Sequence, residues 1–286
     1  MTAKKYPPAV WRLVTTSPAC GAWNMAIDEV ILRSIGREET LPTLRLYAWQ
    51  PPCLSLGYAQ PFNDVDITSL TDYGWDLVRR PTGGRAILHT DELTYAVIAP
   101  ENEPRLAGGV LESYQRLSEA ILHALRGLGI EAQARAKPSP APTQPSVLTE
   151  ETNQNPVCFE VPSNYEITVN GKKLVGSAQA RKKEGVLQHG SLLLGGDLSR
   201  ISRVLAFKDE QARASAATRL LDHATTAETI LKRKVTWEEA ALAIVEGFKG
   251  KLNIKFKQSN LSSNELALAD ELLHSKYAAP LWTKRI

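Results

Sequence analysis

The sequence predicts an α/β fold of the α+β kind, built on a mixed, largely antiparallel sheet. Two observations carry this expectation. Short strand-like runs come in clusters punctuated by helix-period runs, not one strand to one helix as in a doubly wound parallel sheet. The dipeptide Asn170-Gly171 stands between two such runs and is a strong hairpin signal. The chain has 286 residues, enough for one large domain or two small ones with a sizeable core.

The elements follow in order. GAWNMAIDEVILRS, from Gly21, has a helical period that puts Trp23, Ile27, Val30 and Ile31 on one face and leaves Asp28, Glu29 and Arg33 off it. TLRLYAW, CLSLG and DLVRR read as short strands separated by proline and glycine signals. LTYAVIAP, residues 93–100, reads as a buried strand stopped by Pro100. LESYQRLSEAILHALRGLGI is a second amphipathic helix, with Tyr114, Leu117, Ile121, Leu125 and Leu128 on one side and Gly127 and Gly129 at its end. A run rich in Pro, Ser and Thr then follows, and residues 137–156 are expected to form a mobile surface loop. YEITV and KLVGS flank the Asn-Gly turn, and GVLQ and HGSLLL continue the sheet. DLSRISRVLAF is expected to be a short helix capped by Asp197. Two later helices carry capping-box patterns, Thr236 with Glu239 and Ser262 with Glu265, and KLNIKF between them alternates like a strand.

Composition narrows the function classes. Hydrophobic residues make up 43% and charged residues 23%, ordinary for a globular protein. No apolar run is long enough to cross a bilayer, and MTAKKYPPAVWRLV lacks the apolar core of a signal peptide. The three cysteines make neither a disulfide framework nor a CxxC metal site, so a cytoplasmic protein without a metal is expected. The net charge of +3 is too small to argue for nucleic acid. Positive charge does bunch locally in VRRPTGGR and QARKKEG, as a solvated face or as a patch for an acidic partner.

Two segments carry candidate chemistry. In RRPTGGRAILHTDELTYAV, residues 79–97, adjacent glycines let the backbone approach a ligand, and consecutive N–H groups can cradle an oxyanion. Arg79, Arg80 and Arg85 add positive charge; the pattern is neither a Walker loop nor GxGxxG, and a plain glycine turn is the alternative. NGKKLVGSAQARKKEGVLQHGSLLL, residues 170–194, offers lysines at a strand start, small residues at Gly176-Ser177-Ala178, and His189-Gly190. Lys172 and Lys173 alternatively mark a polar hairpin end. Among the cysteines, Cys158 in PVCFEVPSNYE reads more plainly as packing than as a nucleophile on the residues alone. Cys20 precedes a helix, where a thiol pKa is depressed, and Cys53 reads as a buried strand residue.

Together these two segments resemble the lipoate-protein ligase and octanoyltransferase family, whose catalytic domain shares its fold with biotin-protein ligases. LRLYAWQPPCLSLGYAQ is similar to the family's early strands, including the element at Gly57–Gln60. The likeness runs from about Trp11 to Phe207 and more loosely beyond. It implies one domain over residues 1–286 with a large mixed sheet, a smaller sheet and flanking helices. The ATP-dependent ligases show a third glycine where this chain has Arg85 in GGRAILH. That departure, with Cys158 just ahead of the second segment, resembles the cysteine-dependent octanoyltransferases and the related amidotransferases.

The resemblance implies a reaction. An octanoyl group passes from acyl carrier protein to a cysteine, and from there to a lysine of a lipoyl-domain protein such as the glycine cleavage H protein. Thioester to thioester is near energy-neutral, thioester to amide is downhill, and neither ATP nor another cofactor is required. The covalent intermediate also divides transfer between two bulky proteins into two half-reactions. On this likeness Cys158 is the nucleophile and Lys173 stabilises its thiolate. Arg79, Thr82, Gly83 and His89 would line the acyl or phosphopantetheine tunnel. Gly57, Gln60, Arg80, Arg85, Gly176, Ser177, His189 and Gly190 complete the binding set. Backbone N–H groups near Gly84 or Ala178 would form an oxyanion hole. Arg181, Lys182 and Lys183 would steer acidic partners. A monomer is expected, with no nucleic-acid or membrane partner. The rival readings are an amidotransferase taking its acyl group from an acylated H protein, an ATP-dependent lipoate ligase, and a non-catalytic lipoyl- or biotin-binding regulator.

Overall fold

The computed structural model describes residues 6–136 and 165–286. In chain order the first half contains β1 (Ala9–Thr15), α1 (Gly21–Gly36), β2 (Thr43–Tyr47), β3 (Cys53–Leu56), α2 (Ile67–Asp72), β4 (Asp76–Arg79), β5 (Ile87–His89), β6 (Glu92–Ala99), α3 (Val110–Gly127) and β7 (Gln133–Ala136). The second half contains β8 (Tyr165–Val169), β9 (Lys172–Lys182), β10 (Gly185–Leu193), α4 (Glu210–His223), α5 (Ala227–Leu231), α6 (Trp237–Leu252), β11 (Ile254–Gln258), α7 (Ser263–Leu272) and α8 (Pro280–Thr283).

Eight strands form the large sheet in the order β11-β1-β2-β6-β10-β9-β8-β7. β1 runs parallel to both of its neighbours, and every other pair is antiparallel. Three more strands form a small sheet in the order β4-β3-β5. The mixed, mostly antiparallel architecture matches the expectation.

β6 shows why the strand reads as apolar at almost every position. Its residues alternate between the two faces of the sheet. Leu93, Tyr95, Val97 and Ala99 enter the core beneath α3 and α6, with Leu117, Ile121, Ile244 and Phe248. Ala96 and Ile98 enter the opposite core beneath α1, with Ile27, Ile31 and Leu187. A helix layer on each face buries the strand completely. The small sheet has its own core, where Leu54, Leu56 and Ala86 meet Ile201, Val204 and Leu205.

The hairpin forms where Asn170-Gly171 stands, with both residues at positive φ (50° and 82°), as a type I′ turn requires. β10 runs unbroken through His189-Gly190, where the sequence suggested two pieces. Residues 198–204 form a 3-10 helix, with Asp197 accepting from the Ser199 N–H. Ser262 and Glu265 make a complete capping box. Thr236 caps α6, but the Glu239 carboxylate pairs with Arg233 at 2.6 Å.

Helix α1 departs from the amphipathic reading. Asp28 and Glu29 are both buried, and Trp23 only partly so. Asp28 faces Arg45, Tyr47 and His189 on the large sheet, and Glu29 lies under a second cover, where α7 and the turn Leu273–Tyr277 pack over the outer side of α1. Glu29 is satisfied there by Arg33 (2.6 Å), Lys276 (2.5 Å) and the Tyr277 hydroxyl (2.5 Å). Burial would raise its carboxyl pKa, but the hydrogen bonds from Lys276 and Tyr277 outweigh it and hold the group down at about 2. No helix among the described residues is long and apolar enough to cross a membrane.

Candidate active site

The two segments marked by the sequence meet around one cavity of about 250 Å³. β9 and β10 form its floor, the loop from Arg80 to Ala86 its roof, and Val110 and Tyr114 of α3 one side. Arg80, Gly83, Gly84, His89, Lys173, Gly176, Ser177, Ala178, His189 and Gly190 all border it. Cys158 and the loop 137–156 lie outside the described residues.

Strand alternation separates the two lysines. Lys173 points into the protein, is only 2% exposed, and borders the cavity with its Nζ 3.1 Å from Glu166 Oε1. Lys172 points the other way and donates to the Leu221 carbonyl at 2.6 Å. The small residues of β9 leave space above the sheet. A Cβ on Gly190 would stand 2.5 Å from Ser177 Oγ and 2.8 Å from a Tyr95 ring carbon, so the cavity floor is packed from below.

Several residues of the expected binding set do not reach the cavity, and Arg80, which borders it, turns its guanidinium to carbonyls. Arg79 is fully buried and donates to the carbonyls of Gly57 (2.8 Å), Gln60 (2.6 Å) and Thr283 (2.8 Å). Its guanidinium therefore clamps two loops together. Arg80 curls the roof by donating to the carbonyls of Gly83 (3.0 Å) and Arg85 (2.7 Å) and to that of Ser55 (2.8 Å). The Gln60 side chain donates to Asp64 (2.9 Å). Thr82 and Arg85 also lie outside the cavity wall. Arg181 donates to Glu101 (3.0 Å) and to the carbonyl of Leu106 (2.7 Å), tying β9 to the loop before α3.

The roof depends on a close approach. Gly84 takes φ +94°, and its carbonyl oxygen would lie 1.8 Å from a Cβ at Gly57. Gly57→Ala should therefore displace the roof and cost about 1–3 kcal/mol. Urea unfolding would show the lower midpoint, and the acyl-transfer rate should fall with it.

Two buried polar networks hold the cavity walls, and most of their members were not anticipated. In the first, Thr82 Oγ1 meets His189 Nε2 at 2.6 Å, and His189 Nδ1 faces Asp28 Oδ2 at 3.5 Å. Asp28 accepts from Arg45 (2.6 Å) and from the Tyr47 hydroxyl (3.0 Å). Burial lowers the His189 pKa despite Asp28, so the ring is neutral at pH 7. With the proton placed on Nδ1 toward Asp28, Nε2 accepts from the Thr82 hydroxyl. In the second, His89 Nε2 meets Ser55 Oγ (2.7 Å) and Nδ1 meets Glu92 Oε1 (2.6 Å). Thr94 and Ser191 also donate to Glu92, and Trp49 stacks on the His89 ring with centroids 3.9 Å apart. Burial would raise the Glu92 pKa, but His89 pulls it below the ordinary value. With both nitrogens engaged, His89 offers the cavity a ring held in place.

The described cysteines stand apart from this site. Cys53 is completely buried, which raises its thiol pKa and keeps it inert. Cys20 precedes α1 and borders a different cleft, beside Pro51, Trp75 and Asp76.

A buried lysine thus borders the cavity beside a small-residue strand and under a glycine roof. The model of the lipoyl protein ligase A/B catalytic domain matches residues 21–249. The chain belongs to this family. It is 40% identical over 276 residues to a protein of Kyrpidia tusciae named octanoyltransferase LipM, covering 96% of this chain and 98% of that one. Its fold resembles the bipartite lipoate protein ligase of Thermoplasma acidophilum, solved in a study that includes its E2 lipoyl domain, with a TM-score of 0.78, 26% identity and 96% of each chain covered. A lipoate-protein ligase A bound with ATP also matches, with a TM-score of 0.76, 25% identity, and 96% and 98% of the two chains covered. The family's catalytic region thus takes in both polar networks as well as the cavity.

Proposed function

We propose that this chain is an octanoyltransferase of lipoate biosynthesis that works through a thioester on Cys158. Its donor is octanoyl-acyl carrier protein and its acceptor a lysine of a lipoyl-domain protein. The observation that carries the reading is Lys173, a buried cation bordering a cavity where both sequence segments meet. Near-full-length likeness to an octanoyltransferase LipM supports the reaction class. The likeness to a lipoate ligase studied together with its lipoyl domain supports the acceptor class.

In the first half-reaction the Cys158 thiolate attacks the octanoyl carbonyl carbon. The new C–Sγ bond forms, the bond to the carrier's thiol sulfur breaks, and that sulfur leaves as a thiolate that takes up a proton. An ammonium at Lys173 favours the attacking thiolate over the thiol. Backbone N–H groups of the Gly83–Gly84 roof and of β9 stabilise the oxyanion of the tetrahedral intermediate. In the second half-reaction the acceptor's neutral lysine amine attacks the same carbon. The amide bond forms, the C–Sγ bond breaks, and the amine proton ends on the departing sulfur or in solvent. The two bulky proteins need never bind together.

The test is to incubate the chain with octanoyl-acyl carrier protein in the absence of ATP and weigh it intact. One octanoyl adduct is expected, released by hydroxylamine and lost in Cys158→Ala. Acylation that requires ATP and survives Cys158→Ala would make the chain a ligase instead. Acylation only from an octanoylated H protein would make it an amidotransferase.

A further inference from the structure

A cationic surface lies against the cavity roof. The Tyr58 N–H donates to the Thr82 carbonyl at 2.8 Å, so Tyr58 is the outer neighbour of the glycine roof. Its exposed ring is covered by the Arg285 guanidinium, 3.8 Å from the centroid. Lys276 Nζ lies 4.2 Å from the ring of Trp282, and the Trp282 indole N–H donates to the Arg79 carbonyl (2.8 Å). An adjoining cleft of about 450 Å³ is lined by Arg33, Arg37, Lys182 and Lys183. Glu29 joins the two halves: it lines the cleft and accepts from Lys276 at 2.5 Å.

Among the described residues, three carboxylates line this face or pair with its six cations. Glu29 is buried beneath them, Glu39 lies 3.9 Å from Arg37, and Glu184 borders the cleft. Cations therefore outnumber anions on this face, and exposed apolar residues, Leu281 and Ile286, adjoin it. A like-charge cluster with aromatic groups at its centre fits an anionic protein surface.

We propose that this face docks the acyl donor, an acidic carrier protein whose thioester arm is joined through a phosphodiester, while the acceptor enters elsewhere. The inference rests on the thioester-exchange reading above. The charge on the arriving groups separates the two partners. A phosphodiester is drawn to this rim, whereas an acceptor must bring a lysine ammonium, which the rim repels. The arm then enters the cavity past Tyr58 and the roof.

The test uses the triple variant Lys182→Glu/Lys183→Glu/Arg285→Glu, all at surface positions outside the cavity wall. Binding of fluorescently labelled octanoyl-acyl carrier protein is measured by anisotropy, and adduct formation is followed by intact mass. Carrier binding should weaken at least about tenfold in the variant, and in the wild type between about 50 and 300 mM salt. Adduct formation from a small octanoyl-pantetheine thioester should be unchanged. Equal carrier affinity in variant and wild type would overturn the proposal, as would a loss confined to lipoyl-domain binding. An equal loss with both donors would likewise overturn it, because the variant would then have damaged the cavity itself. A wild type that binds the carrier at this face but forms no adduct would sink the thioester reading and leave the docking face standing.

Discussion

Lys173→Ala should slow formation of the octanoyl adduct by about 100- to 10,000-fold, with the protein still folded. The lysine is almost wholly buried at the cavity edge, and its ammonium lies 3.1 Å from Glu166. Its removal deprives the thiolate of a neighbouring cation and leaves the carboxylate behind. That carboxylate disfavours a second anion, so the Cys158 thiol pKa should rise in the variant. The pH profile separates this from simple damage. Wild-type acylation should level off below the ordinary thiol pKa of about 8.5, whereas the variant's rate should keep climbing through that value. Rapid-quench mass spectrometry across the pH range measures both. A variant with wild-type rate and the same profile would remove Lys173 from the mechanism.

Asp28→Asn should be the most damaging single change to stability, at about 3–5 kcal/mol or a melting temperature lower by about 10 °C. Asp28 and Arg45 are both wholly inaccessible, 2.6 Å apart, and the variant leaves the guanidinium charge without its counter-charge. Adding Arg45→Met should recover much of the loss, because replacing both members with neutral groups removes the uncompensated charge. The acid behaviour follows from the direction of the shift. Burial works to raise the Asp28 pKa, but Arg45 and His189 hold it below its ordinary 3.8. The ion pair's stabilisation is therefore complete above the unfolded-state value, near pH 4, and is lost as the pH falls through the folded value. The stability gap between wild type and Asp28→Asn should close below about pH 4. Denaturant midpoints at neutral pH and in acid read this directly.

The parts of the fold with strong periodic signals were legible. β6 and α3 are apolar where they pack, and Asn170-Gly171 can only be a tight turn. Weak signals were missed for a physical reason. α4, EQARASAATRLLDH, buries only Ala216 and Leu220, so it carries no continuous apolar stripe. β1 follows a proline pair and leaves Val10 half exposed, which obscures its alternation. At the site, the residues that border the cavity came from short motifs, but their supports did not. Asp28 and Glu29 look like the wet side of an amphipathic helix, yet Asp28 turns to Arg45 and Tyr47 on the sheet and Glu29 is covered by the turn that carries Lys276 and Tyr277. Arg79 resembles an anion ligand, yet its donors are spent on carbonyls from distant segments, a fact that no local pattern encodes. Glu92 and Thr94 left one trace, polar residues alternating within an otherwise apolar strand.

The clamp at Arg79 bears on the order in which the molecule folds. Its guanidinium joins the end of β4 to the Thr283 carbonyl across 204 residues of chain. Contacts at that separation close late, because the intervening loop entropy must be overcome first. The central strands β2, β6, β10, β9 and β8 can therefore regain their pairing while the cavity roof still lacks its outer brace, which closes with the equally long-range pairing of β1 and β11. Recovery of acyl transfer after dilution from denaturant should lag behind recovery of circular dichroism, and the lag times the docking of the 280–286 turn.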